Sequence, residues 1–239
     1  GFVWLPPGVA AAHAPLVVNV HGGPYNHVKP EFSAGAQFLA NHGYIVFRPN
    51  FRGSTGHGRR IVLASDGDFG GDGAVQRDIV EGTRWLLANG IGDADRVGIT
   101  GASFGGYATL LGLSFQPELF KVGVASVPPS DFAFVIREYL GSGKELSPGI
   151  PMAATFRHLG VDPADRARMA SLHAGSPVAN VARMQRPLLM LAGGEDDRVP
   201  IRGVTDYAAR LRLLGRDVSL FVDADAGHNM VDPRTREAY

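Results

Sequence analysis

The sequence predicts an α/β domain with a mainly parallel sheet and helices on both faces. Three observations predict it. Short β-branched runs alternate with helical stretches, which is the pattern of βαβ crossovers. The chain has 239 residues, enough for one domain with a substantial core. Hydrophobic residues make up 45% and charged residues 19%, a globular mix that excludes disorder over most of the chain.

The elements follow in order. Leu16–Val20 is an apolar, β-branched run that ends at His21-Gly22-Gly23-Pro24, so it is a buried strand. Phe32–Asn41 carries apolar residues at helical spacing and stops at Gly43. Tyr44–Phe47 is the next strand, and Arg48–Gly73, rich in Gly, Asn, Ser and Asp, is largely loop. Ala74–Asn89 is a helix with Val75, Ile79, Trp85 and Leu86 at a period near 3.6. Arg96–Thr100 is a strand, Tyr107–Phe115 a helix and Lys121–Ala125 a strand. Asp131–Ser176 is the least regular stretch, short helices and loops that suit an insertion. Pro187–Ala192 is a strand, Val204–Leu214 a helix with Tyr207, Leu211 and Leu214 on one face, and Val218–Val222 the last strand. No internal repeat and no linker divides the chain, so residues 1–239 are expected to form one domain.

Charge and composition exclude several classes. Lys+Arg and Asp+Glu both number 23, which argues against nucleic-acid binding by phosphate neutralisation and against a polybasic membrane anchor. No apolar run reaches the roughly 18 residues of a membrane span. With no Cys there is no disulfide, thiolate metal site or cysteine nucleophile. That absence leaves the compartment unknown; a soluble cytoplasmic protein is favoured. The chain opens without Met, and Pro233–Tyr239 resembles the first turn of a further helix, so a fragment of a longer polypeptide is expected.

The strongest local signal is Gly101-Ala102-Ser103-Phe104-Gly105, a G-x-S-x-G between a strand and a helix. That is the context of a nucleophile elbow, in which small residues let the chain turn sharply and lift the serine clear of the sheet. The plain alternative is a glycine-rich turn with an incidental serine. A serine nucleophile needs a base, and the base an orienting acid; in α/β-hydrolase order both follow the serine, acid first. His158, His173 and His228 follow Ser103. Of these His228 lies just after the last strand, at the sheet edge where the elbow also sits. The other two fall in the irregular stretch and suit surface or packing roles. Glu195, Asp196 and Asp197 follow another strand at that edge, and composition does not choose among them. His21-Gly22-Gly23-Pro24 lets backbone approach a substrate oxygen and donate an N–H.

Other patterns fail. Asp66–Asp72 faintly resembles a calcium loop, but its twelfth position is Arg77, and Gly141–Lys144 lacks the spacing of a phosphate-binding loop. No metal or cofactor site is expected. Phe132, Phe134 and Tyr139 fit a pocket wall or, more commonly, core.

Taken together, the motifs resemble one family. His21–Pro24, Asn50–Gly56, Gly67–Gly71, Gly101–Tyr107, Gly194–Pro200 and Gly227-His228 stand in the order found in the prolyl oligopeptidase family of serine peptidases. They look most like its acylaminoacyl-peptidase branch, over nearly the whole chain. The resemblance implies Asp196 as the catalytic acid, beside Ser103 and His228. It implies Arg198 as a holder of a substrate main-chain carbonyl. Phe104 stands where the family usually has Tyr, and His21 where the prolyl oligopeptidase and dipeptidyl-peptidase branches place an oxyanion tyrosine. Backbone N–H groups of Gly23 and Phe104 are therefore expected to form the oxyanion hole. The family also carries an N-terminal β-propeller and a last helix, neither of which this sequence shows.

The expected function is hydrolysis of short peptides through an acyl-enzyme, by a serine-type exo- or oligopeptidase without a cofactor. A carboxylesterase with the same triad and a non-catalytic interaction domain on the same fold are the alternatives. A propeller of the same polypeptide is an expected partner, and self-association is left open.

Overall fold

The computed structural model describes residues 1–142, 145–147, 150–158 and 160–230. Its elements are β1 (Phe2–Trp4), β2 (Leu16–Val20), α1 (Ala34–Asn41), β3 (Ile45–Arg48), α2 (Arg59–Leu63), α3 (Ala74–Ala88), β4 (Val97–Ala102) and α4 (Phe104–Phe115). They continue with β5 (Val122–Ser126), α5 (Phe132–Ser142), β6 (Glu145–Ser147), β7 (Ile150–Pro151), α6 (Met152–His158), α7 (Arg166–Ala174), β8 (Leu188–Gly193), α8 (Ile201–Leu213) and β9 (Val218–Asp223). Seven strands form one sheet in the order β1-β3-β2-β4-β5-β8-β9, and β6 and β7 form a separate antiparallel pair. Within the large sheet only β1 runs antiparallel, against β3.

Alternation builds the sheet. Leu16, Val18, Ile45, Ile99, Leu188 and Met190 are almost wholly buried. Val18 lies in register with Phe47 and Ile99, so these three share a face. That face meets α3 and α4: a Cβ at Gly82 would lie 3.0 Å from Phe47, and one at Gly112 3.0 Å from Ile99. Val46, on the opposite face of β3, is also buried. α1 packs beside β1 and β3, while α5 packs on both α6 and α7.

The structure departs from the sequence expectations at several ends. The first helix begins at Ala34 rather than Phe32, because Ser33 Oγ caps it by accepting from Ala36 N–H. Phe32 is left outside and exposed. In α3, Val75, Ile79 and Leu86 are buried but Trp85 is 62% exposed, so Trp85 does not belong to the core stripe. α4 starts at Phe104, not Tyr107. The last apolar residue of the α8 stripe is Leu211; Leu214 caps the helix, exposed. The loop 48–73 contains α2, and β1 adds an edge strand the sequence did not announce. The helical turn expected over Pro233–Tyr239 lies outside the described residues.

Parallel strands in this register bring five chain segments to one edge. Val20 pairs with Gly101, Ala102 with Ser126, and Gly193 with Asp223. The turns after β2, β4, β5, β8 and β9 therefore leave the sheet side by side, at its carboxyl ends.

Candidate active site

Ser103 follows β4 and precedes α4, with φ 57° and ψ −120°. A side chain in that region is strained, and the surroundings hold it. Ser103 N–H donates to Ser126 O at 2.9 Å, and Tyr107 N–H donates to Ser103 O at 2.9 Å. Close approach explains the glycines: a Cβ at Gly105 would lie 2.1 Å from Val20 O, and one at Gly101 2.6 Å from the same oxygen. The turn can be this tight only without side chains.

Ser103 opens into a cavity of about 870 Å³, also lined by Gly23, Phe104, Arg198 and His228. Among the described residues four non-glycine residues have positive φ, and three of them, Ser103, Val127 and Met230, line this cavity. Backbone strain is concentrated here.

The loops after β8 and β9 are pressed backbone to backbone. A Cβ at Gly193 would lie 2.3 Å from Ala226 O, and one at Gly194 2.4 Å from Ala224 O. Glu195 N–H donates to Ala226 O at 3.0 Å. That contact brings Asp196 to His228. The His228 ring N–H at Nδ1 lies 2.8 Å from Asp196 Oδ2 and 3.0 Å from Oδ1. Asp196 Oδ1 also accepts from the backbone N–H groups of Arg198 (2.8 Å) and Val199 (2.9 Å). The Asp196 side chain is 2% exposed and that of His228 10%. The enclosed carboxylate thus accepts from three donors, which fix its orientation.

Glu195 is exposed, and Asp197 stands exposed at the cavity wall. Of the three acids left open by composition, Asp196 is the one hydrogen-bonded to His228. Ser103 shares the cavity with that ring without a direct hydrogen bond to it, a spacing that unliganded sites often show. His158 and His173 lie elsewhere: the His158 ring meets the edge of Tyr25 at 6.3 Å, and His173 pairs with Asp131.

His21 lies below the cavity rather than in its wall. Its Nδ1–H donates to Gly22 O at 2.8 Å, its Nε2 accepts from the Ser54 hydroxyl at 2.9 Å, and its ring stacks on Phe51 at 4.3 Å. Burial pushes its pKa down to about 4, so the ring is neutral and keeps this tautomer. It ties down the Gly22-Gly23 turn, whose Gly23 has φ +127°.

Phe132 and Tyr139, left between wall and core by the sequence, line the cavity; Phe132 is also 4% exposed and packed on Phe104 at 5.6 Å, so it is wall and core at once. Phe134 is absent from the lining. Sequence reasoning missed Phe156, Val127 and Met230. Only the Ser126-Val127-Pro128-Pro129 run after a strand hinted at one of them. Burial holds the Tyr139 phenol above its usual range. Among the described residues no group of acidic, His or Cys side chains is placed to hold a metal ion.

A parallel sheet with a strained serine on the elbow after β4, and an acid–histidine pair on the last two loops, defines an α/β hydrolase. More narrowly, the chain belongs to the prolyl oligopeptidase family, whose model matches residues 30–239. It is 33% identical over 237 residues to dipeptidyl aminopeptidase BIII of Pseudoxanthomonas mexicana, covering 97% of this chain and 32% of that protein. It is 28% identical over 231 residues to acylamino-acid-releasing enzyme 2 of Oryza sativa subsp. japonica, covering 94% and 29%. Among solved structures, an acylaminoacyl peptidase in complex with Z-Gly-Gly-Phe-chloromethyl ketone superposes with a TM-score of 0.81 at 27% identity, covering 98% of this chain and 36% of that one. The acylaminoacyl peptidase of Pyrococcus horikoshii gives 0.78 at 26%, covering 95% and 34%. The chain thus spans about a third of the length of these relatives. Among the described residues no helix is long and apolar enough to cross a membrane.

Proposed function

We propose that residues 1–239 are the catalytic domain of a serine peptidase acting on short peptides. The observation that carries this reading is the Asp196–His228 pair facing the same cavity as Ser103. In this reading Ser103 Oγ attacks the scissile carbonyl carbon while His228 Nε2 takes the hydroxyl proton. Asp196 keeps the Nδ1 proton in place and stabilises the imidazolium. The oxyanion lies between the N–H groups of Gly23 and Phe104. His228 then gives its proton to the leaving amine, and water reverses the first half to free the acyl group. Arg198 at the cavity wall holds a main-chain carbonyl of the substrate.

The walls support a substrate class. Val127, Phe132, Tyr139 and Phe156 make one side of the cavity apolar and aromatic. Such a wall suits a bulky apolar side chain on the acyl side of the scissile bond. Relatives named for dipeptide release and for acylamino-acid release are both similar to this chain. Anilides of a free dipeptide and of an N-acyl amino acid therefore form the test. Turnover of either, lost on blocking Ser103 with a fluorophosphonate, is the expected result. Absence of both labelling and turnover sinks the reading. A β-propeller of the same polypeptide, as the family resemblance implies, would meter entry to the cavity.

A further inference from the structure

Asp131 and His173 take no part in the chemistry above, yet they meet directly behind the aromatic wall. We infer that the Asp131–His173 pair is a positioning device that holds helix α5 against the cavity and so sets which substrate side chains fit. This inference rests on the peptidase reading of the site.

Asp131 precedes α5 and is 8% exposed. Its Oδ1 accepts from Ala133 N–H at 3.0 Å, capping the first turn. Its Oδ2 accepts from His173 Nδ1–H at 2.7 Å. A carboxylate this far from water needs such donors, and losing one leaves charge unsatisfied. Arg137 Nη2, 4.0 Å from Asp131 Oδ2, belongs to α5 itself and cannot tether that helix to anything else. His173 belongs to α7, so its bond ties α5 to its neighbour. The preceding residue is anchored as well: Ser130 Oγ–H donates to Gly203 O at 3.0 Å, and Ser130 O accepts from Val178 N–H at 3.1 Å.

What is tethered is the wall. Phe132, the first residue of α5, lines the cavity and packs edge-on against Phe104 (5.6 Å) and Phe156 (6.1 Å). Tyr139, two turns on, lines it too. A shift of α5 would move both rings. Substrates whose side chain fills that wall must feel the shift; substrates with a small side chain must not.

The experiment compares the unsubstituted protein with His173→Ala and His173→Asn on two substrates, acyl-phenylalanine anilide and acyl-alanine anilide. The His173 side chain is half exposed, so both variants are expected to fold. In His173→Ala, KM for the phenylalanine substrate should rise roughly tenfold with kcat unchanged, and KM for the alanine substrate should stay within about twofold. His173→Asn should restore the unsubstituted KM, because its side-chain N–H can stand in for Nδ1–H. Equal changes with both substrates, no change with either, or an Asn variant that behaves like Ala would each overturn the inference alone. No turnover by the unsubstituted protein would overturn the peptidase reading, and this inference with it.

Discussion

The His228 ring is bonded from Nδ1 to both carboxylate oxygens of Asp196, at 2.8 and 3.0 Å. The same carboxylate receives two backbone N–H groups, so it cannot rotate away without losing them. An amide at this position would offer one acceptor where the site has three donors. Asp196→Asn should therefore lower kcat by roughly 10⁴, through loss of the required His228 tautomer. Asp197→Asn should cost less than tenfold. Steady-state kinetics of both variants check this; equal losses, or the reverse order, would assign the acid to the wrong residue.

Ser103→Ala should abolish turnover and fluorophosphonate labelling while leaving the melting temperature unchanged or raised. The variant loses one hydroxyl from a half-buried, strained position and no buried hydrogen bond of the side chain. More than a trace of remaining activity, measured on purified folded protein, would remove Ser103 as nucleophile.

Arg198→Ala should separate peptides from esters. A charged donor to a carbonyl contributes about 1.5–3 kcal/mol, so kcat/KM for a peptide anilide should fall roughly 10- to 150-fold. A short-chain ester has no main-chain carbonyl on its acyl side and should hardly respond. A parallel fall in both would favour the carboxylesterase alternative.

Gly105→Ala should destabilise by about 3 kcal/mol, the upper end for overpacking, because its Cβ meets the Val20 carbonyl at 2.1 Å and backbone must move. Gly35→Ala is the control: beyond its chain neighbours and its own helix backbone nothing lies within 4 Å of its Cβ, and it sits in α1. It should stabilise by up to about 1 kcal/mol. Urea unfolding of the two variants reads the difference directly.

His21 predicts acid sensitivity. Its folded pKa, about 4, lies below the unfolded value of 6.5. The unfolded chain therefore takes up a proton between these values that the folded chain refuses. Stability from this group is complete above pH 6.5 and is lost as pH falls towards 4, by about 3 kcal/mol. His21→Gln removes the titration, so its unfolding free energy should fall less over that window. Identical pH slopes for the two proteins would show that His21 is not responsible.

The fold was legible where periodicity carries it. Leu16–Val20 and Pro187–Ala192 are unmistakable because a buried parallel strand is mostly apolar and rich in Val and Leu. β1 was not, since Phe2-Val3-Trp4 is too short to alternate, and only its pairing with Val46–Arg48 makes it a strand. The start of α4 was misplaced because Gly105 and Gly106 are poor helix formers, and their reason for being there is contact with Val20 and Ser126, which spacing does not reveal. Ser103 and His228 were legible as residue types at strand ends. Asp196 could be chosen over its two acidic neighbours only by resemblance, because the choice depends on how two loops touch. The Asp131–His173 pair was invisible, as its members stand 42 positions apart in an irregular stretch.

β5 and β8 are neighbours in the sheet, joined by Val127 N–H to Leu191 O at 2.7 Å, although α5, α6 and α7 lie between them in the chain. That excursion brings Phe132, Tyr139 and Phe156 to the cavity, while Ser103, Asp196, His228, Gly23 and Phe104 all come from outside it. The selecting surface is in this sense a module that can be exchanged. A chimaera carrying a different excursion between the same two strands would keep the residues proposed to break the bond and, on that proposal, change only its diet.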